Sequence, residues 1–490
     1  MTSALIALPI AAPMLAAGGV VAVGGRYRQV CRWVVLGVSA AVLVIAGVMI
    51  ARTADGSVHA VQVGDWGPGI SIAFAIDMFS ALMLAVSSLL VLVCYSFAVS
   101  AGDDEAEPLF GPLVLILSAG VYGTFITADL FNLFVLIEVM LLPSYALLIM
   151  AGSRAKLAAG RIYLLVNLLA STIFLAGLAM LYGSAGTLNL GVLAGAAAEN
   201  PTIAAAGAVI LVAMAAKAAM VPMHGWLPRT YPEASPAVTA LFSGLLTKTG
   251  AYVIIRVYSV MYEGDQRYVW VIMTGAILTM VIGVLAAVGQ DTLRSILAFD
   301  MVSQIGYVLL GLALATHAGL AATVFFLVQY AAVKAALLLC AGAVETAYGT
   351  GRLSLLGGLG GREKLLAAAY AVAALSLAGL PPMSGFVAKL GLIRAAVLDE
   401  QYFPAAMAVI VSLLTLLPLL KIWTGAFAGA LPSPLPDTAR TRAGLVAPAV
   451  VLGVVTIALG IGAQPLLAAA ETAADVLSNP TIWAEAVLRG

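Results

Sequence analysis

The chain has 490 residues, of which 63% are hydrophobic and only 9% are charged, and its formal net charge is zero. Soluble globular domains carry roughly 25% charged residues, so this composition and a mean hydropathy of +1.10 exclude an ordinary soluble protein and predict an integral membrane protein. The neutral balance gives no support to nucleic-acid binding. The three cysteines form no CxxC pair and only three histidines are present, which argues against disulfide scaffolds, iron–sulfur clusters, structural zinc and haem.

Apolar segments follow one another along the chain, each near the length of about 20 residues that a helix needs to cross a bilayer. Because a backbone in hydrocarbon must satisfy its own hydrogen bonds, we predict an all-α protein of about 14 transmembrane helices. The first segment lacks a preceding basic region, so we expect a retained helix and not a cleaved signal. The predicted spans are 3–22, 33–50, 73–98, 109–127, 130–151, 162–182, 203–223, 236–255, 268–289, 295–315, 319–344, 365–393, 403–428 and 443–465.

Two predicted spans contain helix breakers, Pro222 in the seventh and Pro381–Pro382 in the twelfth. The blocks 109–255 and 268–428 each hold five spans with the break in the fourth, and an odd number of spans reverses the orientation of the next block. This spacing predicts two inverted repeats whose broken helices mark ion sites.

The predicted division of the chain follows from these blocks. The longest polar gap, 51–72, is too short for a folded domain, and the tail after Pro465 predicts a mildly amphipathic surface helix. The predicted parts are transmembrane helices 1–3 in 1–108, the first five-helix repeat in 109–259, the second in 260–428, and the last transmembrane helix with the C-terminal tail in 429–490.

Basic residues concentrate in alternate loops, and such loops face the cytoplasm. The opposite side holds only Arg52, Arg267 and Arg489, with Arg256 and Arg394 near helix ends that face it. This bias predicts that both termini lie outside. The basic residues of the inner side are Arg26, Arg28, Arg32, Arg154, Lys156, Arg161, Arg229, Arg294, Arg352, Arg362, Lys364, Arg440 and Arg442.

Lysine is placed selectively within the membrane. Almost all of the sixteen arginines lie in loops or at helix ends, whereas five of the seven lysines fall inside apolar spans. A buried lysine loses its proton readily, while arginine in practice does not, so this choice points to proton exchange. The five lysines are Lys217, Lys248, Lys334, Lys389 and Lys421.

Glu138 lies close to the middle of its span and Lys217 about 6 Å from the centre of its own, at 1.5 Å per residue. A charge at the bilayer centre costs several kcal/mol unless it is paired or hydrated. The two side chains therefore form either a pair that separates during proton transfer or a static ion pair between two helices.

Lys248 and Lys334 also lie near mid-depth, where neighbouring hydroxyl and amide groups can hold water that relays protons. The alternative for each is a lysine bonded to carbonyl groups at a kink. Lys389 follows the Pro381–Pro382 break by about two turns, where freed backbone groups can hold water.

Five further side chains have two interpretations. His224, two residues after Pro222, either relays protons near neutral pH or caps the broken helix. Asp300 is either a proton-uptake group or an ordinary interfacial acid, and Lys421 either joins the relay or extends its charge to the helix end. Asp77 and Asp129 begin their helices, where an acid meets the positive end of the helix dipole, and we expect both to be structural.

Four stretches resemble one family. They are FNLFVLIEVMLLPSYALL, the stretch Lys217–Arg256 (KAAMVPMHGWLPRTYPEASPAVTALFSGLLTKTGAYVIIR), LRSILAFDMVSQIGYVLLG and LAGLPPMSGFVAKLGLI. They are similar, in this order, to the antiporter-like membrane subunits of respiratory complex I, membrane-bound hydrogenases and multisubunit Mrp cation/proton antiporters. The length, the DLFNLFVLIEVML wording and a lysine at position 389 most resemble the D-type subunits of Mrp-type Na⁺/H⁺ antiporters.

The resemblance implies roles for particular residues. The family carboxylate on helix 5 corresponds to Glu138, and the lysines on helices 7, 8, 11 and 12 correspond to Lys217, Lys248, Lys334 and Lys389. Many relatives place a histidine four residues before the helix 11 lysine. Here that residue is Tyr330, so a relay at this point requires water or the phenol.

The resemblance also implies a function. We expect a proton-translocating, non-enzymatic subunit of a secondary Na⁺(cation)/H⁺ antiporter in a prokaryotic cell membrane, driven by the proton gradient. Other membrane subunits would be its partners, no cofactor is implied and no metal ligands are assigned. One alternative is a proton-pumping subunit of a complex I-like NADH:quinone oxidoreductase or a membrane-bound hydrogenase, and another is a structural subunit whose charges only hold helices together.

Overall fold

The computed structural model describes residues 3–24, 27–67, 71–150, 152–429 and 440–489, which are mostly α-helical. This confirms the predicted all-α membrane class. Within this part of the chain, eleven helices are long and apolar enough to cross a bilayer, and three shorter apolar helices accompany them: Phe110–Ile126, Pro201–Lys217 and Lys364–Ala378. The count of fourteen spans, the domain boundaries and the inverted repeats stay predictions.

The N-terminal part contains helices and a small hairpin. Its elements are α1 (Ser3–Val23), α2 (Arg28–Arg52), β1 (His59–Gln62), β2 (Ala73–Ile76), α3 (Met78–Ala101) and α4 (Asp103–Ala106).

The hairpin between α2 and α3 was not predicted. The strands β1 and β2 pair antiparallel, with His59 opposite Ile76, so the prediction that the third span begins at residue 73 is wrong. Asp77 starts α3 by accepting a hydrogen bond from the Ser80 amide at 2.9 Å. Apolar residues alone do not distinguish a short strand from the first turn of a helix, and this cap sets the boundary.

The middle of the chain, where the sequence predicts the first five-helix repeat, contains five longer helices and two helices of four residues. Its helices are α5 (Phe110–Ile126), α6 (Leu130–Ile149), α7 (Arg154–Ala185), α8 (Ala196–Glu199), α9 (Pro201–Lys217), α10 (Leu227–Thr230) and α11 (Pro236–Tyr262).

The second block and the C-terminal part follow. Their helices are α12 (Val269–Val288), α13 (Leu293–Ala313), α14 (His317–Tyr348), α15 (Leu359–Arg362), α16 (Lys364–Ala378), α17 (Ser384–Leu398), α18 (Tyr402–Ile422), α19 (Ala443–Ile461), α20 (Gln464–Ser478) and α21 (Pro480–Arg489). Residues 430–439 of the predicted last part lie outside the described residues.

The C-terminal tail is more firmly packed than the predicted surface helix. It forms two helices. The helix α20 packs on α14 and α3, and its residues Ala470, Ala473 and Leu477 are buried. In α21, the buried Trp483 ring lies 5.2 Å from the Arg256 guanidinium carbon. The tail therefore covers the central helices.

The helices α11 and α14 form the centre of the molecule. They pack against each other, and their apolar stretches are entirely buried. Because Lys248 lies on α11 and Lys334 on α14, these two lysines are placed where the surrounding helices exclude both lipid and bulk water.

Basic side chains begin α2, which starts earlier than the predicted span. Arg32 binds Asp104 at 2.6 Å and Glu105 at 2.9 Å, so this end of α2 and the acidic helix α4 lie on the same side of the bundle. Arg28 also lies in α2 and not in the preceding loop, and Arg26 lies outside the described residues.

The predicted helix breaks are present, but the helices end before the prolines. The helix α9 ends at Lys217, five residues before Pro222, and α16 ends at Ala378. At the first break, the Trp226 indole donates to the Ala216 carbonyl at 3.0 Å and the Val221 amide donates to the Thr279 hydroxyl at 3.1 Å. The Trp226 and Thr279 side chains therefore form hydrogen bonds with backbone groups that the break leaves without helical partners.

Candidate ion-translocation site

Glu138, Ser171 and Lys217 form a continuous set of hydrogen bonds across three helices. Glu138 is half-buried in the middle of α6, whereas Ser171 on α7 and Lys217 at the end of α9 are about 5% exposed. The Ser171 hydroxyl donates to Glu138 Oε1, and Lys217 Nζ donates to Ser171 Oγ at 3.2 Å.

The structure corrects the predicted direct pairing of Glu138 with Lys217. A serine hydroxyl lies between them, and it both accepts from the lysine and donates to the carboxylate. A hydroxyl that has both roles can pass a proton from one neighbour to the other. Glu138, Ser171 and Lys217 thus form a hydrogen-bonded series in which the carboxylate and the lysine are close without direct contact.

Lys248 is fully buried on α11. Its Nζ donates to the Ser243 carbonyl at 2.6 Å and lies 3.7 Å from the centroid of the Tyr330 ring. Lys248 Nζ also donates to the Thr247 hydroxyl at 3.5 Å. Among the described residues, Lys248 forms no ion pair, so its ammonium group contacts a carbonyl, a hydroxyl and an aromatic ring. The carbonyl contact fits the predicted alternative of a lysine bonded to the backbone.

Tyr330 stands where many relatives have a histidine, and its hydroxyl and its ring contact different groups. Its hydroxyl donates to the Met301 carbonyl at 3.2 Å, and the face of its ring contacts Lys248. The hydroxyl proton is thus directed at a backbone carbonyl in this arrangement, and the expectation that water or the phenol replaces imidazole stays a prediction.

Asp300 and Lys334 form an ion pair between α13 and α14, and both are 0% exposed. Gln304, one turn along α13, donates to Asp300 Oδ1 at 3.2 Å. The interpretation of Asp300 as an interfacial acid is wrong, because its side chain points into the packed interface with α14. Position along a predicted span gave its depth only approximately and gave no information about this partner.

Lys389 lies at the second break and is 3% exposed. Its Nζ donates to Ser412 Oγ at 3.2 Å and to the Ala378 carbonyl at 3.4 Å, and it lies 4.8 Å from the centroid of the Tyr307 ring. Ala378 ends α16, so Lys389 itself binds a carbonyl that the break leaves free.

The two remaining candidates lie apart from these contacts. His224 is in the turn Met223–Trp226, and its buried Nδ1 has no hydrogen-bond partner within the described chain. Lys421 binds the Gln290 carbonyl at 2.6 Å and Asp291 at 2.9 Å. These contacts tie the end of α18 to the segment after α12, as expected for a lysine that extends to a helix end.

Asp77 and Asp129 are N-caps, as predicted. Asp129 accepts from the Asn132 amide at 2.7 Å. Asp77 has a second role that was not predicted, since it binds the buried Arg256 at 2.7 Å.

The sequence alone does not identify Ser171, Gln304 and Ser412 as partners of these charged side chains. Serines are common in membrane helices, and most bond to a carbonyl of their own helix, as Ser88 does at 2.8 Å. No local signal separates Ser171 from these, because its role depends on the rotation of α7 against α6 and α9.

Comparisons with known proteins identify the family of this chain. Residues 127–415 match the NADH:quinone oxidoreductase/Mrp antiporter transmembrane family. The D-type subunit of the Na(+)/H(+) antiporter of Alkalihalophilus pseudofirmus is 36% identical over 492 aligned residues, which cover 99% of each chain. A chain in the Mrp complex from Dietzia sp. DQ12-45-1b is 48% identical, with 100% of each chain covered and a TM-score of 0.96.

Respiratory complex I from Thermus thermophilus contains a more distant match. It is 21% identical, with 97% of this chain and 99% of that chain covered and a TM-score of 0.83, so the likeness is one of fold. Together, the matches confirm the predicted resemblance to the D-type subunits of Mrp-type antiporters. This chain belongs to the NADH:quinone oxidoreductase/Mrp antiporter transmembrane family.

Proposed function

We propose that this chain is the proton-translocating subunit of a multisubunit Na⁺(cation)/H⁺ antiporter and that the proton gradient drives it. The observation that carries the proposal is the hydrogen-bonded series Glu138–Ser171–Lys217. The antiporter name of the Alkalihalophilus relative and the Mrp complex that contains the Dietzia chain support the antiporter assignment. Other membrane subunits are then its partners.

The proposed path uses five ionisable side chains. A proton moves between Glu138 and Lys217 through Ser171, and the resulting change of charge alters the protonation of Lys248, then of Lys334 and Lys389. Lysines suit this task because a buried ammonium loses its proton readily, whereas a guanidinium does not.

The proposed location is a prokaryotic cell membrane with both termini outside. The basic residues at the starts of α2 and α7 support this orientation, because short cytoplasmic loops carry an excess of lysine and arginine. Proton influx then runs from the side of the termini to the side of these basic residues.

The alternative is a proton-pumping subunit of a redox complex. Its support is the shared fold of the complex I chain, and folds host many functions. Neighbouring genes separate the two cases: small multi-spanning partners favour the antiporter, and iron–sulfur or nickel–iron subunits favour the redox complex.

Antiport in inverted membrane vesicles tests the proposal. The whole operon is expressed with and without this chain, and with Lys217→Ala in the chain. We expect sodium-dependent proton exchange only with the intact chain, and we expect the Lys217→Ala complex to assemble but not to exchange. Wild-type exchange by this variant would remove Lys217 from the mechanism.

A further inference from the structure

The second block of helices repeats the first at a constant register. Asp129 and Asn189 form an isolated β-bridge, and so do Thr292 and Arg352, each 163 residues further along the chain. The helices α7 and α14 are both 32 residues long, and they begin and end at positions separated by the same 163 residues. The helix pair α6–α7 is therefore equivalent to the pair α13–α14.

This register aligns two hydrogen-bonded contacts of carboxylates. Ser171 aligns with Lys334, and Glu138 aligns with Met301, the neighbour of Asp300. Ser171 donates to Glu138 in the first pair of helices, and Lys334 donates to Asp300 in the second. In both pairs, an acid at the same level accepts from the same position of the following helix.

More than one lysine lies near Asp300. Its carboxylate interacts electrostatically with the side chains of Lys248, Lys334 and Lys389, which come from three different helices, α11, α14 and α17. Lys334 binds it directly. The titratable side chains that interact with it electrostatically are Lys248, Tyr307, Tyr330, Lys334, Tyr370 and Lys389.

We infer that Asp300 is a proton-carrying carboxylate of the ion path, equivalent in the second block to Glu138 in the first. This role rests on the proposed function. A proton leaves Lys334 Nζ and bonds to Asp300 Oδ2, which gives a neutral amine and a neutral carboxyl group. Lys248 Nζ and Lys389 Nζ bind other groups in this structure, so one of them must first move into hydrogen-bond distance of the carboxyl group. The proton then passes from Oδ2 to the neutral amine of that lysine, which becomes an ammonium group, and Asp300 returns to the carboxylate.

Asp300→Asn removes the ionisable group with little change of shape, and Asp129→Asn is the matched control, because asparagine caps a helix as well as aspartate does. In inverted vesicles with equal amounts of assembled complex, we expect Asp300→Asn to lower sodium-dependent proton exchange roughly tenfold or more. We expect Asp129→Asn to stay near wild type. Near-wild-type exchange by Asp300→Asn would overturn the inference.

The groups of a static ion pair do not change protonation between two pH values. Infrared difference spectra between these pH values therefore distinguish a static pair from a carboxyl group that takes up a proton. We expect a carboxyl carbonyl band in the wild-type complex that persists in Asp129→Asn and disappears in Asp300→Asn. A band that is unchanged in Asp300→Asn would overturn the inference. If Asp300→Asn does not assemble, Asp300→Glu decides: a displaced pH profile of exchange supports the role, and an unchanged profile contradicts it.

The same experiment distinguishes this inference from the proposed function. A wild-type complex without sodium-dependent proton exchange would refute the proposed function. Wild-type exchange that is lost in Glu138→Gln but kept in Asp300→Asn would refute only the role of Asp300.

Discussion

Lys217 donates to a serine hydroxyl, whereas the buried Arg256 binds the Asp77 carboxylate directly at 2.7 Å. The arginine keeps its charge and needs a fixed counter-ion, because breaking such a buried pair leaves an uncompensated charge. The lysine contacts a group that accepts and donates, as a relay requires. At similar burial, Lys217 and Arg256 therefore have different kinds of partner, as the proposed relay requires.

Removal of the Ser171 hydroxyl interrupts the contact between Lys217 and Glu138. A hydrogen bond to a charged group contributes about 1.5–3 kcal/mol, so we expect Ser171→Ala to slow sodium-dependent proton exchange by roughly tenfold to a hundredfold. The measurement is the initial rate in inverted vesicles, normalised to the amount of assembled complex.

Ser184→Ala is the matched control for this prediction. Ser184 lies on the same helix, is exposed, and bonds to the Met180 carbonyl of its own helix at 3.0 Å. We expect wild-type exchange. Equal rates in the two variants would show that the Ser171 hydroxyl is not part of the path.

Residue type and depth were sufficient to select Glu138 and the buried lysines from the sequence. They were not sufficient to assign partners. The pairing of Asp300 with Lys334 and the contact of Lys248 with the Tyr330 ring depend on the rotation of α11, α13 and α14 about their axes. Sequence periodicity gives no signal for this rotation when every face of a helix is apolar.

The broken helix α9 packs closely against α11 at Gly250. A methyl group added there would lie 2.9 Å from the Ala218 amide nitrogen, in the residue that follows Lys217. We expect Gly250→Ala to push this backbone away, to displace Lys217 and to lower stability by about 1–3 kcal/mol. Thermal inactivation and exchange rates of the purified complex measure both effects.

Gly183→Ala is a control in an exposed turn of α7, where an added methyl group meets no atom within 4 Å. Alanine favours a helix over glycine by up to about 1 kcal/mol, so we expect unchanged or slightly higher stability. If the Gly250→Ala complex were as stable and as active as the Gly183→Ala complex, the close packing of α9 on α11 would not be what positions Lys217.

At the scale of elements, the proline positions predicted two broken helices, and both are present. The ends of these helices were predicted less well, because α9 stops at Lys217 and not at Pro222. A proline disfavours the helical conformation of the residue before it. The last turn of α9 ends further upstream, next to the backbone groups that Trp226 and Thr279 bind. The hairpin β1–β2 was not predicted, because the sequence pattern of a four-residue strand does not distinguish it from other apolar segments.

The proposed orientation of the whole molecule predicts where added cysteines react. Ala54 follows α2 and Ala155 begins α7, and both are exposed. In a Cys31→Ser background, we expect a membrane-impermeant maleimide to label Ala54→Cys in intact cells and Ala155→Cys only in inverted vesicles. The reverse pattern would place both termini inside.

Composition and four short stretches predicted the membrane class and the family of the whole molecule. They did not predict that the C-terminal helices α20 and α21 cover the core, since their amphipathic pattern is equally typical of a helix at the membrane surface. Only the packing of α20 on α14 distinguishes the two cases.

Sodium-dependent proton exchange by a Lys217→Arg complex tests the central claim most directly. The substitution keeps the positive charge but gives a side chain that does not release its proton in practice, so we predict an assembled complex without exchange. As a control, Lys421→Arg should exchange normally, because that charge is bound at a helix end. Exchange by Lys217→Arg at the wild-type rate would contradict a path in which buried lysines gain and lose protons.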